Sequence, residues 1–178
     1  MSTPADLRYP IGRFTPVIPI TDAMRHAAIE EMAALPSRMR NAVAGLTDAQ
    51  LDTPYRPDGW TVRQVVHHVP DSHVNAYIRL KLALTENMPT ITPYNEQTWA
   101  RLSDSRMPVE VSLSLLESVH ARWAALCRDL KPPDWERAFI HPEYPDGPRT
   151  IDWLVQIYAW HSNHHLAHIT SLRQRERW

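Results

Sequence analysis

Apolar residues recur along much of this chain with a period near 3.6, the spacing of one helical face. Val111, Leu113, Leu115, Leu116, Val119, Trp123 and Leu126 form such a face over 108–130. Leu154, Tyr158, Ile169 and Leu172 do the same over 150–173, and Val62, Val66, Val69, Ala76, Leu80 and Leu84 over 61–85. A fourth long helix is predicted over about 24–45, opened by Thr21 and Asp22. Thr47, with Gln50 three residues on, has the form of a capping box and predicts a short helical turn. Thr150 is a cap of the same kind for the last helix. Pro36 and Pro70 fall inside two of the long segments. A proline has no amide hydrogen to give the carbonyl four residues back, so each should bend or split its helix, and Pro70 should free the carbonyl of Val66.

Between these segments the pattern breaks. Residues 1–20 carry four prolines and no period, and read as an extended arm packed on the body. Residues 52–59 and 88–94 read as loops, 95–102 as a short helix, 132–139 as a further turn and 140–149 as a short extended piece. There is no alternation of strands with helices, no glycine-rich phosphate loop and no internal repeat. The expectation is an all-α protein: one four-helix-bundle domain over 1–178, with an extended arm and long proline-rich connections.

Composition narrows the class. With 178 residues, 43% of them hydrophobic and 22% charged, the chain can bury a substantial core. Sixteen prolines against four glycines point to stiff, ordered connections. A net charge of −1 gives no reason to expect nucleic acid as a partner. The arginines that close the chain, Arg173, Arg175 and Arg177, suit a solvated helix end that complements the helix dipole. No apolar run approaches the ~18 residues of a membrane span, and the first residues lack an apolar signal core, so the cytoplasm is the expected compartment. The single cysteine, Cys127, excludes an internal disulfide and a cysteine-rich metal site, and reads as a packing residue.

Ten histidines are the conspicuous chemistry. Seven fall in two clusters: His67, His68 and His73, then His161, His164, His165 and His168. Two imidazoles four residues apart lie on one helical face and can serve one metal ion. Two such pairs compete, His161/His165 and His164/His168. The helical wheel favours the first, which sits mid-face with Leu154, Tyr158, Ile169 and Leu172. A third ligand would come from the helix over 61–85, where the wheel does not separate His67 from His68. The zinc-protease signature is absent, because Ser162 follows His161 where that signature needs Glu.

Several stretches together resemble the DinB-like superfamily of metal-binding four-helix bundles, and within it the YfiT-like group, which is known as metal-dependent hydrolases and includes bacillithiol S-transferases. They are Tyr-Pro-Ile-Gly-Arg at 9–13, Leu-Asp-Thr-Pro-Tyr-Arg at 51–56, and Gly-Trp-Thr-Val-Arg-Gln-Val-Val-His-His-Val at 59–69. Asp-Ser-His at 71–73, Tyr-Ile-Arg at 77–79, Trp-His-Ser at 160–162 and Ala-His-Ile-Thr at 167–170 complete the likeness. The resemblance implies His68, His161 and His165 as the ligands of one divalent metal per chain. Asn163 departs from a more histidine-rich version of its stretch, on the side of the helix away from those ligands.

Three imidazoles leave a coordination position open, as a catalytic rather than a structural site requires. Zinc fits best and nickel is an alternative. Such an ion can acidify a bound water for hydrolysis or hold an incoming thiol as thiolate for S-transfer. The resemblance implies transfer of a low-molecular-weight thiol, bacillithiol or a relative, to an electrophilic substrate. A hydrolase and a non-catalytic metal-binding bundle are the alternatives. Asp71 is the candidate general base, or with His164 and His168 a group that holds a ligand from behind. Arg13, Arg56 and Arg79 are candidates for the pocket mouth, and Trp60 for the core. Small molecules are the expected partners, with no nucleic acid and no membrane, and the chain is expected to form a homodimer.

Overall fold

The structure is a computed structural model, and it describes residues 6–178. Four long helices carry it: α1 (Asp22–Val43), α3 (Val62–Thr85), α5 (Val109–Arg128) and α7 (Ile151–Glu176). Short helices α2 (Asp48–Leu51), α4 (Glu96–Trp99) and α6 (Pro132–Trp135) lie in the connections, with one 3-10 turn at Ser103–Arg106. Strands β1 (Ala138–Phe139) and β2 (Arg149–Thr150) pair antiparallel, Ala138 opposite Thr150, and close the loop that leads into α7. The extended piece expected over 140–149 thus lies at the edges of that stretch. No helix among the described residues is long and apolar enough to cross a membrane.

Local signals open the helices as the sequence indicates. Thr47 with Gln50 and Thr61 with Gln64 form reciprocal capping boxes, and the hydroxyls of Thr21 and Thr150 accept from Met24 and Trp153. The two internal prolines behave differently from a simple break. Neither α1 at Pro36 nor α3 at Pro70 ends there. In α1, the Met32 carbonyl left without an amide partner accepts instead from the His120 ring on α5, at 2.5 Å.

In the bundle, α1 and α3 each pack against both α5 and α7, so the order around it is α1, α5, α3, α7. Two apolar layers fill the interior. One contains Ile29, Met32, Leu80, Trp123, Ile151 and Leu154; the other contains Leu35, Met39, Val62, Val66, Leu113, Leu116 and Ile169. On α3, α5 and α7 the stretch between the two layers carries histidine: His73, His120, then His161, His164 and His165, with His68 beside the second layer between Val66 and Val69. Cys127 lies in the first layer, where burial pushes its thiol up to about 12, so it packs and does not react. The arm runs along α7: the Val17 amide donates to Gln156 and the Trp160 indole donates to the Gly12 carbonyl. The part of the arm before residue 6 lies outside the described residues.

Candidate metal centre

The three histidines singled out in the sequence meet at one place. One ring nitrogen from each of His68, His161 and His165 lies within 4.8 Å of the other two, and Nε2 of His161 is 3.1 Å from Nε2 of His165. The last two come from successive turns of α7, and His68 faces them from α3, its ring centre 4.8 Å from that of His165. Trp60, half-buried against the second core layer, also packs on this group, its ring centre 4.5 Å from that of His68 and stacked near His165. Burial holds His68 down at about 3 and His161 and His165 well below the ordinary imidazole value, with neighbouring rings adding to the effect. All three are therefore neutral near pH ~7, with ring lone pairs available to a cation.

His67 points elsewhere. Its Nδ1 is 2.7 Å from the Ser112 hydroxyl and its Nε2 is 2.9 Å from the Met107 carbonyl. Both nitrogens are occupied on the α5 side, which leaves His68 to face α7. Asp71 shares no hydrogen bond with His67 or His68 among the described residues, and it does not line the cavity described below. Its carboxyl is half-buried and pushed up to about 6 by burial, with Asp104 adding to the shift.

His164 and His168 form a second group with His165, their ring nitrogens also within 4.8 Å of one another. Nε2 of His168 is 3.1 Å from the Arg8 carbonyl in the arm, and its ring stacks on Tyr55. His164 stacks on Trp160. Neither hydrogen bonds to His68, His161 or His165 among the described residues. The group that does meet one of the three is His73, with its Nε2 3.0 Å from Nδ1 of His161. Its role could not be recognised from spacing, since it acts from α3 on a residue of α7.

Can these residues hold a metal ion? In both groups the donors are imidazoles, borderline ligands suited to zinc and nickel. Nδ1 of His164, of His165 and of His168 is buried with no hydrogen-bond partner, which an interior of ordinary polar satisfaction would not leave. Both groups have nitrogens within 4.8 Å and both line the cavity described below; His68, His161 and His165 differ in joining two helices, α3 and α7.

That cavity has a volume of about 480 Å³ and is lined by the three histidines together with Trp60, Tyr94, Tyr158 and Arg79. It is large enough for a small molecule. Arg79, only 8% exposed, lines it with no carboxylate partner among the described residues. Arg56 and Arg8 line it as well, whereas Arg13 stacks over the Tyr9 ring, 4.0 Å from its centre. Arg8 was not singled out in the sequence. Burial keeps the Tyr94 and Tyr158 phenols protonated, and His141 is held at about 4 by burial and by Arg79 and Arg149.

Fold and site together define a helical bundle with a histidine cluster at the wall of a small-molecule cavity. The DinB superfamily model matches residues 31–169. A Bacillus cereus protein named "Putative metal-dependent hydrolase" is 56% identical over 173 residues, covering 97% of this chain and 99% of its own. A Bacillus mycoides protein of the same description is 54% identical over the same length. Among solved structures, YfiT from Bacillus subtilis, described as "a probable metal-dependent hydrolase with an unusual four-helix bundle topology", superposes with a TM-score of 0.93. It is 46% identical, covering 97% of this chain and 98% of YfiT. This chain belongs to the DinB superfamily.

Proposed function

We propose that the protein is a metal-dependent enzyme that transfers a small thiol carrying a negatively charged group to an electrophile. His68, His161 and His165 hold the ion, zinc first and nickel second. When bound, it supplies Lewis acidity for a nucleophile in the cavity. The observation that carries the choice of substrate is Arg79. A guanidinium buried without a counter-ion costs several kcal/mol, and an anionic group on a ligand would offset that cost. Arg56 and Arg8 also line the cavity, as do Asp58, Glu96 and Glu143, so Arg79 is the buried cation that marks the anion's place. Tyr94 and Tyr158, kept protonated, can donate to the ligand or accept from it. Trp60 covers the His68 ring and helps keep bulk water from the histidines.

Transfer is favoured over hydrolysis by the surroundings of the three histidines. Among the described residues no Asp or Glu side chain hydrogen bonds to any of them: Asp71 lies off the cavity, and Asp58, Glu96 and Glu143 line it without bonding to the three rings. A thiol loses its proton readily enough to need no carboxylate base, whereas an attacking water is helped by one. Hydrolysis is the second reading, and the names of the Bacillus relatives support it.

The test uses zinc-loaded protein and a chromogenic electrophile. Thiols with a carboxylate and thiols without one are compared, and an ester is assayed in parallel. Thiol-dependent loss of the electrophile is expected, with a preference for the carboxylate thiol. Arg79→Met should abolish that preference, mainly through KM. Ester hydrolysis without any thiol-dependent reaction would overturn transfer in favour of hydrolysis. Inactivity toward both classes after full metal loading would favour a non-catalytic metal-binding bundle.

A further inference from the structure

A line of hydrogen bonds crosses the bundle and touches each of its four long helices. It starts at the Met32 carbonyl on α1, which is 2.5 Å from Nδ1 of His120 on α5. Nε2 of His120 is 2.7 Å from Nδ1 of His73 on α3. Nε2 of His73 is 3.0 Å from Nδ1 of His161 on α7. His120 is 2% exposed and His73 is fully buried.

The direction of this line follows from its first member. A carbonyl oxygen only accepts, so the hydrogen between Met32 and His120 sits on Nδ1 of His120. With one proton per ring, Nε2 of His120 is then a lone pair, and the hydrogen facing it belongs to Nδ1 of His73. Nε2 of His73 is in turn a lone pair, and it accepts from Nδ1 of His161. The last lone pair in the sequence is Nε2 of His161, the atom that meets Nε2 of His165 at the cavity.

The carbonyl is available because of Pro36. In an uninterrupted helix the amide of residue 36 would donate to Met32; proline has no such hydrogen. We propose that Pro36, His120 and His73 are positioning elements that set the tautomer and orientation of His161, so that its Nε2 faces the metal. The hydrogen-bond order stands on the geometry alone, and its value for metal binding rests on His161 being a ligand. Burial, which holds His120 at about 4, agrees with a neutral ring in the line. Partners of this kind on a ligand's far nitrogen commonly change metal affinity by about 10–100-fold when they are removed.

The test reads two quantities separately. The first is the His161 tautomer in metal-free protein with imidazole-labelled nitrogen, from two-bond proton–nitrogen correlations near pH ~7. The second is zinc affinity by competition with a chromophoric chelator. The unaltered protein should show His161 protonated on Nδ1. His120→Gln, whose side-chain oxygen can still accept from His73, should keep that form and most of the affinity. His120→Leu should give mixed tautomers and bind zinc about 10–100-fold more weakly. Should His120→Leu fail to fold, Pro36→Ala supplies an independent variant. It returns an amide donor to the Met32 carbonyl without removing any core side chain. It should weaken zinc binding while leaving helix content and urea stability undiminished, which a purely structural role would not do.

His161 protonated on Nε2 in the unaltered metal-free protein would overturn the proposal. So would unchanged tautomer and zinc affinity in a folded His120→Leu protein, or in a Pro36→Ala protein whose His120 Nδ1 proton has lost its bond to the Met32 carbonyl. Failure of the unaltered protein to bind zinc, with His161 in the expected tautomer, would refute the ligand role of His161. The hydrogen-bond order would then still hold.

Discussion

Lowering the pH of metal-free protein should unfold it steeply near pH ~5, and the histidines decide where. Burial is the leading cause in every case: it holds His68 at about 3 and His120, His141, His164 and His168 at about 4. In the unfolded chain each would titrate near ~6.5. From that value downward the unfolded state binds more protons than the folded one. The stability tied to these rings is therefore complete above ~6.5 and is lost as pH falls toward their folded values. At pH ~5 the better-buried rings, His68, His120 and His168, each withdraw about 2 kcal/mol, and His141 and His164, more open to solvent, withdraw less, so the five together cost roughly 5–10 kcal/mol. Asp71 works in the opposite direction. Its carboxyl is raised to about 6, so the folded state gains on protonating it. That returns at most about 1 kcal/mol at the same pH, since the carboxyl is only half-buried. The balance rivals the roughly 5–15 kcal/mol by which most domains are stable. Urea unfolding followed by circular dichroism, at steps between pH ~7.5 and ~5 with chelator present, measures it. A stability that changes by less than ~2 kcal/mol over that range would refute the reasoning, because it would mean the rings are solvated in the folded protein. Added zinc should move the acid transition to lower pH, since protons and the ion compete for the same nitrogens.

His68→Ala, His161→Ala or His165→Ala should each strip the metal, measured by elemental analysis of protein purified without a histidine tag. His67→Ala should retain it, and should cost ~1–3 kcal/mol of stability because Ser112 and Met107 lose their partner. His168→Ala should leave metal content near that of the unaltered protein; loss of metal there would favour the group His164, His165 and His168 as the donor set. Trp123→Ala, at a fully buried position between α3 and α7, should destabilise by about 3–5 kcal/mol in urea unfolding, with zinc stoichiometry unchanged. Cys127 should resist a thiol reagent in the folded protein and react at once in denaturant.

Much of this protein is written in short-range pattern. Apolar residues at helical spacing mark three of the four long helices, and Thr47 and Thr150 mark where helices begin, because a capping hydroxyl needs only an amide two or three residues on. The pair His161/His165 is legible for the same reason: four residues along a helix is one turn. The order α1, α5, α3, α7 around the bundle is not legible, since helical faces alone do not choose their neighbours. Nor is the effect of Pro36, which depends on a histidine 84 residues away reaching its freed carbonyl. The choice between His67 and His68 turns on Ser112 and Met107, which occupy both nitrogens of His67 from the far side of α3. His73 becomes the partner of His161, and Arg79 a buried cation without a carboxylate among the described residues, only when α3 and α7 are packed together. Local pattern sets which side chains share a face. Which faces meet, and therefore which polar groups satisfy one another and which are left for a ligand, is decided by tertiary packing, because burial makes every unpaired polar atom costly.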